Sequence, residues 1–138
     1  MKDTAIKLCL LVRENAIARI TKVGAVFYAD EELCPGWNIE NRCHKGMHAE
    51  EVAILHSRLR GYNPKSFKGI IIVYGDGSTF FPACGHCRQA LWEYTFNPEL
   101  LITVIDLEGN IIGEKRLDEL YPYPYPLESF RLDKKESK

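Results

Sequence analysis

Three side chains in this sequence have the chemistry of metal ligands, and a fourth has that of a proton carrier. His48 and Glu50 sit two residues apart in Met47-His48-Ala49-Glu50-Glu51-Val52-Ala53-Ile54. Cys84 and Cys87 are separated by two residues in Pro82-Ala83-Cys84-Gly85-His86-Cys87-Arg88-Gln89. One imidazole and two thiolates are one ligand fewer than a closed structural zinc site requires. A fourth position left to water is the arrangement of a catalytic zinc. Zinc lowers the pKa of a water in that position to about 7, and Glu50 could take its proton and return it. Taken alone, Cys84 and Cys87 also fit a dithiol redox pair or half of a structural site, and His48 alone fits a histidine at a helix start. The pattern gains meaning from its order, His-x-Glu and then Cys-x-x-Cys, on either side of an apolar strand.

Those residues need elements to bring them together. Periodicity predicts a helix over about Asp3–Ile17, with Ile6, Leu10 and Ile17 on one face and Asp3 or Thr4 as cap. Strands are expected at 22–28 and at about 36–41, joined by an Asp30-Glu31-Glu32 turn into a hairpin. A second helix is expected over about Met47–Leu59, with Val52, Ile54, Leu55 and Leu59 as its buried stripe and Gly61 as its stop. Gly69-Ile70-Ile71-Ile72-Val73-Tyr74 is a continuous β-branched run that suits a strand buried on both faces. Gly75-Asp76-Gly77-Ser78 reads as a turn, without the lysine of a phosphate loop. A third helix follows from Cys84 to about Phe96, then a buried strand at Leu101–Ile105, a short strand at Ile111–Gly113 and a helical turn at Leu117–Leu120. Tyr121-Pro122-Tyr123-Pro124-Tyr125-Pro126 lacks alternate N–H donors and cannot form a central strand. Residues from about 128 to 138 read as a solvated tail.

Alternation of strands and helices predicts an α/β fold, a three-layer α/β/α sandwich with a mixed sheet of about five strands. No internal repeat or boundary divides the sequence, so 1–138 reads as one domain. Both ligand elements fall at helix starts, where unpaired N–H groups and a partial positive charge favour thiolates at Cys84 and Cys87.

Composition narrows the class. With 18 Lys and Arg against 19 Asp and Glu, the net charge is −1. That balance disfavours sequence-independent nucleic-acid binding and points to a small-molecule substrate. Five cysteines are odd in number and unevenly spaced, which does not suit a disulfide scaffold. No secretory signal pattern and no apolar run near the ~20 residues of a membrane span are visible. A reducing cytoplasm is the expected compartment. Cys9 and Cys34 read as core or strand residues, His56 and His86 as surface histidines, and Cys43 with His44 as loop residues rather than a second metal site.

Together, His48-Ala49-Glu50 and Cys84-Gly85-His86-Cys87-Arg88-Gln89 resemble the signature of the zinc-dependent cytidine deaminase superfamily, H/C-x-E followed by P-C-x-x-C. Val23-Gly24-Ala25 and Gly36-Trp37-Asn38-Ile39-Glu40-Asn41 are similar to the first strand and the ribose-binding strand of the free-nucleoside branch. Leu117-Asp118-Glu119-Leu120-Tyr121-Pro122 is similar to its closing segment, so the resemblance runs from about residue 5 to 126. It implies that His48, Cys84 and Cys87 hold one Zn2+ per chain and that Glu50 shuttles protons to the pyrimidine N3 and the departing amine. It also implies that Asn38 and Glu40 bind the ribose hydroxyls, with Ala49 among the substrate-binding residues. Alternate strand positions face one side, so Asn38 and Glu40 can reach one sugar. The implied assembly is a homotetramer, with a dimer as the fallback.

The chain departs from that pattern in several places. The branch usually has Cys where His48 stands and Arg where Glu51 stands. The two changes are consistent, because two thiolates and a neutral imidazole balance Zn2+ without an added cation. Pro82 is separated from Cys84 by Ala83, Thr21 stands where an aromatic is usual, and Arg42-Cys43-His44 replaces a small-small-Tyr sequence. Tyr125 is the counterpart of an aromatic that closes a neighbouring subunit's site.

The leading expectation is zinc-dependent hydrolytic deamination of cytidine or deoxycytidine, with release of ammonia and a place in pyrimidine salvage. The alternatives are deamination of another aminopyrimidine nucleoside, such as blasticidin S or a modified cytosine, and a non-catalytic zinc domain. An intact Glu50 speaks against the last, and the Asn38/Glu40 strand against a polynucleotide substrate.

Overall fold

The computed structural model describes residues 1–43 and 45–126. The expected tail and His44 lie outside the described residues.

Helix α1 (Lys2–Arg13) leads into strand β1 (Val23–Tyr28), which pairs antiparallel with β2 (Leu33–Trp37). A two-stranded ribbon, β3 (Ile39–Glu40) with β4 (Gly46–Met47), precedes helix α2 (Ala49–Arg60). Then come β5 (Gly69–Tyr74), α3 (Gly85–Thr95), β6 (Leu101–Ile105), β7 (Ile111–Arg116) and the single turn α4 (Leu117–Leu120). The main sheet has the order β2-β1-β5-β6-β7. Only β5 and β6 run parallel. A parallel pair needs a crossover, and α3 supplies it. That crossover carries the start of α3, and with it the Cys-x-x-Cys turn, past the carboxyl end of β5.

β5 explains the layering. Ile70 and Ile72 point to one face and join Phe27 of β1 and Ala49, Ala53, Cys87 and Leu91 of the α2/α3 layer. Ile71 and Val73 point to the other and join Ala5, Cys9 and Val12 of α1. The alternation of side chains along a strand, with apolar residues at every position, forces helices onto both sides. The fold is the three-layer arrangement with five mixed strands.

Three elements differ from the sequence expectation. Helix α1 stops at Arg13, whose guanidinium donates to the Gly75 carbonyl at 2.7 and 3.0 Å. Ile17 lies beyond it, in a bridge to Ile39. The second strand begins earlier and breaks at Asn38. There the side chain takes over the pairing: Oδ1 accepts from Val23 N–H and Nδ2 donates to the Thr21 carbonyl, both at 2.8 Å. β7 runs on through Glu114-Lys115-Arg116, charges that an edge strand tolerates.

The buried face of α2 is the main correction. It consists of Ala49, Glu50, Ala53 and Ser57, whereas Leu55 is 47% and Leu59 79% exposed. Gly36 on β2 is the cause. A Cβ there would lie 2.2 Å from the Ala49 carbonyl oxygen and 2.4 Å from Ala53 N. The helix backbone therefore rests on the strand, and only small residues fit between them. The expected stop is present: Gly61 adopts φ 71°, a left-handed cap that suits glycine.

Candidate active site

Two helix starts converge here. His48 is the N-cap of α2 and Cys84 the N-cap of α3. His48 Nδ1 lies 3.2 Å from Cys87 Sγ and 3.3 Å from Cys84 Sγ. The three ligand atoms all fall within 4.8 Å of one another. Cys84 Sγ also accepts from the Cys87 N–H at 3.4 Å, which fixes the turn between the sulfurs. The extra residue before this turn is accommodated locally: Ala83 takes φ 67°, and the Pro82 carbonyl accepts from Arg88 Nε at 3.2 Å.

One nitrogen and two sulfurs, borne on two elements and facing one point, form a donor set that suits Zn2+. It is the three-ligand type that leaves a position open, so the cluster fits one zinc per chain. In the metal-free chain, burial and then the neighbouring Glu50 carboxylate push the Cys87 thiol well above its usual range. A divalent cation reverses that preference and holds the sulfur as thiolate.

Glu50 is 5% exposed, and the Cys87 thiol donates to its Oε2 at 3.2 Å. Burial is the main reason that its carboxyl is held above the usual glutamate range. It belongs to the cleft as well as to the cluster. An open cavity of about 750 Å³ runs from Cys84, His48 and Glu50 to Asn38 and Glu40. Asn38 is 6% exposed, and besides its two backbone bonds its Nδ2 donates to Glu40 Oε1 at 3.3 Å. Glu40 Oε2 accepts from the Arg19 N–H at 3.0 Å. Ala49 also lines the cavity. Six of the seven residues singled out from the sequence thus line one cleft, and the seventh, Cys87, is buried behind it in contact with His48 and Glu50; Asn38 sits at a break between strands rather than inside one.

Three participants were not read from the sequence as parts of the site. Tyr74 and Phe81 line the same cavity, their rings 4.6 Å apart between centroids. They give the cleft an aromatic wall where Thr21 gives none. Tyr74 closes the apolar run of β5, but Phe81 sits in a loop whose course the sequence does not reveal. His86, exposed as expected, contacts Glu51: its Nε2 lies 3.0 Å from Glu51 Oε2. Burial opposes ionisation of Glu51, but hydrogen bonds from the His48 N–H and the His86 ring hold its carboxyl below the usual range.

Comparisons with known proteins accord with this geometry. The family model of the cytidine and deoxycytidylate deaminase zinc-binding region matches residues 1–101, a span that includes the whole cluster and Glu50. A cytidine deaminase from Burkholderia pseudomallei has a similar structure (TM-score 0.79, 26% identity, 91% of this chain and 99% of that one). So does a cytidine deaminase from Mycobacterium leprae (TM-score 0.69, 27% identity, 88% and 98%). A third, from Mycobacterium tuberculosis, has a TM-score of 0.71 at 25% identity, over 91% and 98%. No match was found among curated proteins.

Proposed function

The chain belongs to the cytidine and deoxycytidylate deaminase family, and we propose that it hydrolyses the 4-amino group of cytidine and deoxycytidine, giving the uracil nucleoside and ammonia. It is a zinc-dependent hydrolase of that family. The observation that carries the reading is the contact of Glu50 with the His48/Cys84/Cys87 cluster at the inner end of a cleft that also holds Asn38 and Glu40.

His48, Cys84 and Cys87 are the residues that would hold the metal. Zinc, when bound, supplies the Lewis acidity that makes water nucleophilic near neutral pH. Glu50 then does the proton work. It takes one proton from the attacking water and gives it to N3 of the pyrimidine as water adds at C4, then takes the remaining proton of the new C4 hydroxyl and passes it to the amine, which leaves as ammonia. Its raised pKa suits a group that must gain and lose a proton near neutrality. Burial in the wall of the cleft limits its exchange with bulk water. Asn38 and Glu40 bind the ribose: the Asn38–Glu40 bond places two polar groups side by side, and each keeps a lone pair for a hydroxyl. Ala49 lies between His48 and Glu50 and contributes wall and backbone to the base end.

A second reading within the same chemistry has a specific observation behind it. Tyr74 and Phe81 provide the aromatic wall while residue 21 is Thr, so the space around the base differs from the usual branch pattern. That favours an altered aminopyrimidine nucleoside, such as a modified cytosine or blasticidin S, as a further substrate.

We further infer a homotetramer, or failing that a dimer, of single-domain chains acting in the cytoplasm in pyrimidine salvage. Ile20 at the rim of the cleft is 95% exposed, and Leu59 on α2 is also bare; both support a covering subunit. Tyr125 would serve the neighbouring site; its backbone is held by Gln89 at 2.9 and 3.3 Å while its side chain is exposed. No helix among the described residues is long and apolar enough to cross a membrane.

Chromatography of products tests the proposal. Zinc-loaded protein given cytidine should yield uridine in amounts that exceed the enzyme many times over. An unchanged cytidine peak would contradict the assignment of that substrate.

A further inference from the structure

The ligand atoms of the cluster come from two helices, so its geometry depends on how the start of α2 sits against the start of α3. Within each helix start, backbone hydrogen bonds fix the turn. Between them, beside the Glu50–Cys87 contact and the meeting of the ligand atoms themselves, Glu51 makes a link. Its Oε1 accepts from the backbone N–H of His48 at 3.0 Å. Its Oε2 lies 3.0 Å from Nε2 of His86, and since a carboxylate only accepts, the ring nitrogen donates. His86 lies between Cys84 and Cys87 in sequence. The rings of His48 and His86 also meet edge to face, with centroids 5.9 Å apart at 73°. One side chain thus ties the main chain of the first ligand residue to the turn that bears the other two.

A cap for α2 alone would need only one of those oxygens. The second bond crosses to the other helix, where capping has no use for it. We propose that Glu51 and His86 form a strut that positions His48 against Cys84 and Cys87, and so sets how tightly the chain holds its metal. Neither residue belongs to the ligand cluster or lines the cleft; both are positioning residues. The proposal rests on the reading of His48, Cys84 and Cys87 as the zinc ligands.

The test is competition for Zn2+ between a chromogenic chelator and the full-length protein, run at a temperature where every metal-free variant is folded. Removing a partner that orients a ligand typically weakens metal binding roughly 10- to 100-fold, so E51A and H86A should each show a loss of that order. The double variant should be little worse than either single one, because both remove the same link. E51Q should be rescued towards native affinity, since its amide oxygen still accepts from His48 N–H and its amide nitrogen can donate to the imidazole. H86A separates the strut from the cap, because it leaves the Glu51–His48 bond in place. Weakening in E51A with native affinity in H86A would overturn the strut, as would E51Q no tighter than E51A. Cys84→Ala is the control: if it loses zinc while E51A and H86A do not, the strut fails and the ligand assignment stands. If Cys84→Ala keeps native affinity, the ligand assignment itself fails.

Discussion

Glu50 and Cys87, 37 positions apart in sequence, meet at 3.2 Å through Oε2 and Sγ. An acid and a metal-ligand type in contact under burial is the relationship on which the proposed chemistry turns. The acid lies against the ligand cluster, where the proposed chemistry would place the reacting water, and burial biases it toward its protonated form.

Glu50→Gln should therefore keep zinc and lose turnover. General acid–base catalysis contributes typically ~100- to 10,000-fold, and the loss should reach at least that range. Zinc content by atomic absorption, read beside the rate, checks it. Near-native turnover in a zinc-replete variant would remove Glu50 from its role.

The same residue gives a stability prediction for the metal-free chain. Burial raises its folded-state pKa. Stability tied to the neutral acid is fully present at low pH and is lost as pH rises through the folded pKa. Glu50→Gln has no charge to bury, so its metal-free melting temperature should exceed the native one at neutral pH. The gain should shrink on acidification. A gain that grows as pH falls would reverse the sign and contradict the account.

Cys84→Ala and His48→Ala should each abolish stoichiometric zinc, since either leaves only two of the three donors within 4.8 Å. His48→Cys should retain the metal, because thiolate is an equally suitable zinc ligand. Dialysis against a zinc buffer followed by metal analysis distinguishes them. A native zinc content in Cys84→Ala would place the metal elsewhere.

The ribose pair should split. Glu40 bridges the Asn38 amide and the Arg19 N–H but buries no essential backbone partner, so Glu40→Gln should raise KM for cytidine more than it lowers kcat. Asn38→Ala should also destabilise the fold by about 1–3 kcal/mol, the typical cost of leaving buried partners unmade, because it orphans Val23 N–H and the Thr21 carbonyl. Urea unfolding beside steady-state kinetics separates the effects. Unchanged kinetics in Glu40→Gln would sink the sugar-site assignment.

Gly36→Ala should shift α2. The added methyl would meet Ala49 and Ala53 backbone atoms at 2.2 and 2.4 Å, and overpacking of this kind costs about 1–3 kcal/mol or more. Because His48 caps that helix, zinc affinity should fall as well. An unaltered unfolding midpoint would contradict the close helix–strand contact.

The cluster was legible in the sequence because ligand chemistry restricts residue type and spacing: His48, Glu50, Cys84 and Cys87 announce themselves without coordinates. The sheet was legible for a similar reason, since Ile70-Ile71-Ile72-Val73 has no polar face and needs a helix layer on each side. The face of α2 was not. Leu55 and Leu59 outweigh Ala49, Ala53 and Ser57 on any hydrophobic scale, and only contact with Gly36 turns the small residues inward. The break at Asn38 was hidden because a side-chain amide there replaces strand pairing. Phe81 meets Tyr74 through a loop without regular structure, and the Glu51–His86 contact joins residues 35 positions apart; no local pattern encodes either meeting.

The most direct measurement is ammonia release from the zinc-loaded protein, with a zinc-stripped aliquot alongside, given cytidine, deoxycytidine, free cytosine and blasticidin S. The account predicts zinc-dependent turnover of the two nucleosides and little of free cytosine, which lacks the sugar that Asn38 and Glu40 would hold. Turnover that survives complete removal of the metal, or no ammonia from any nucleoside with zinc bound, would contradict it.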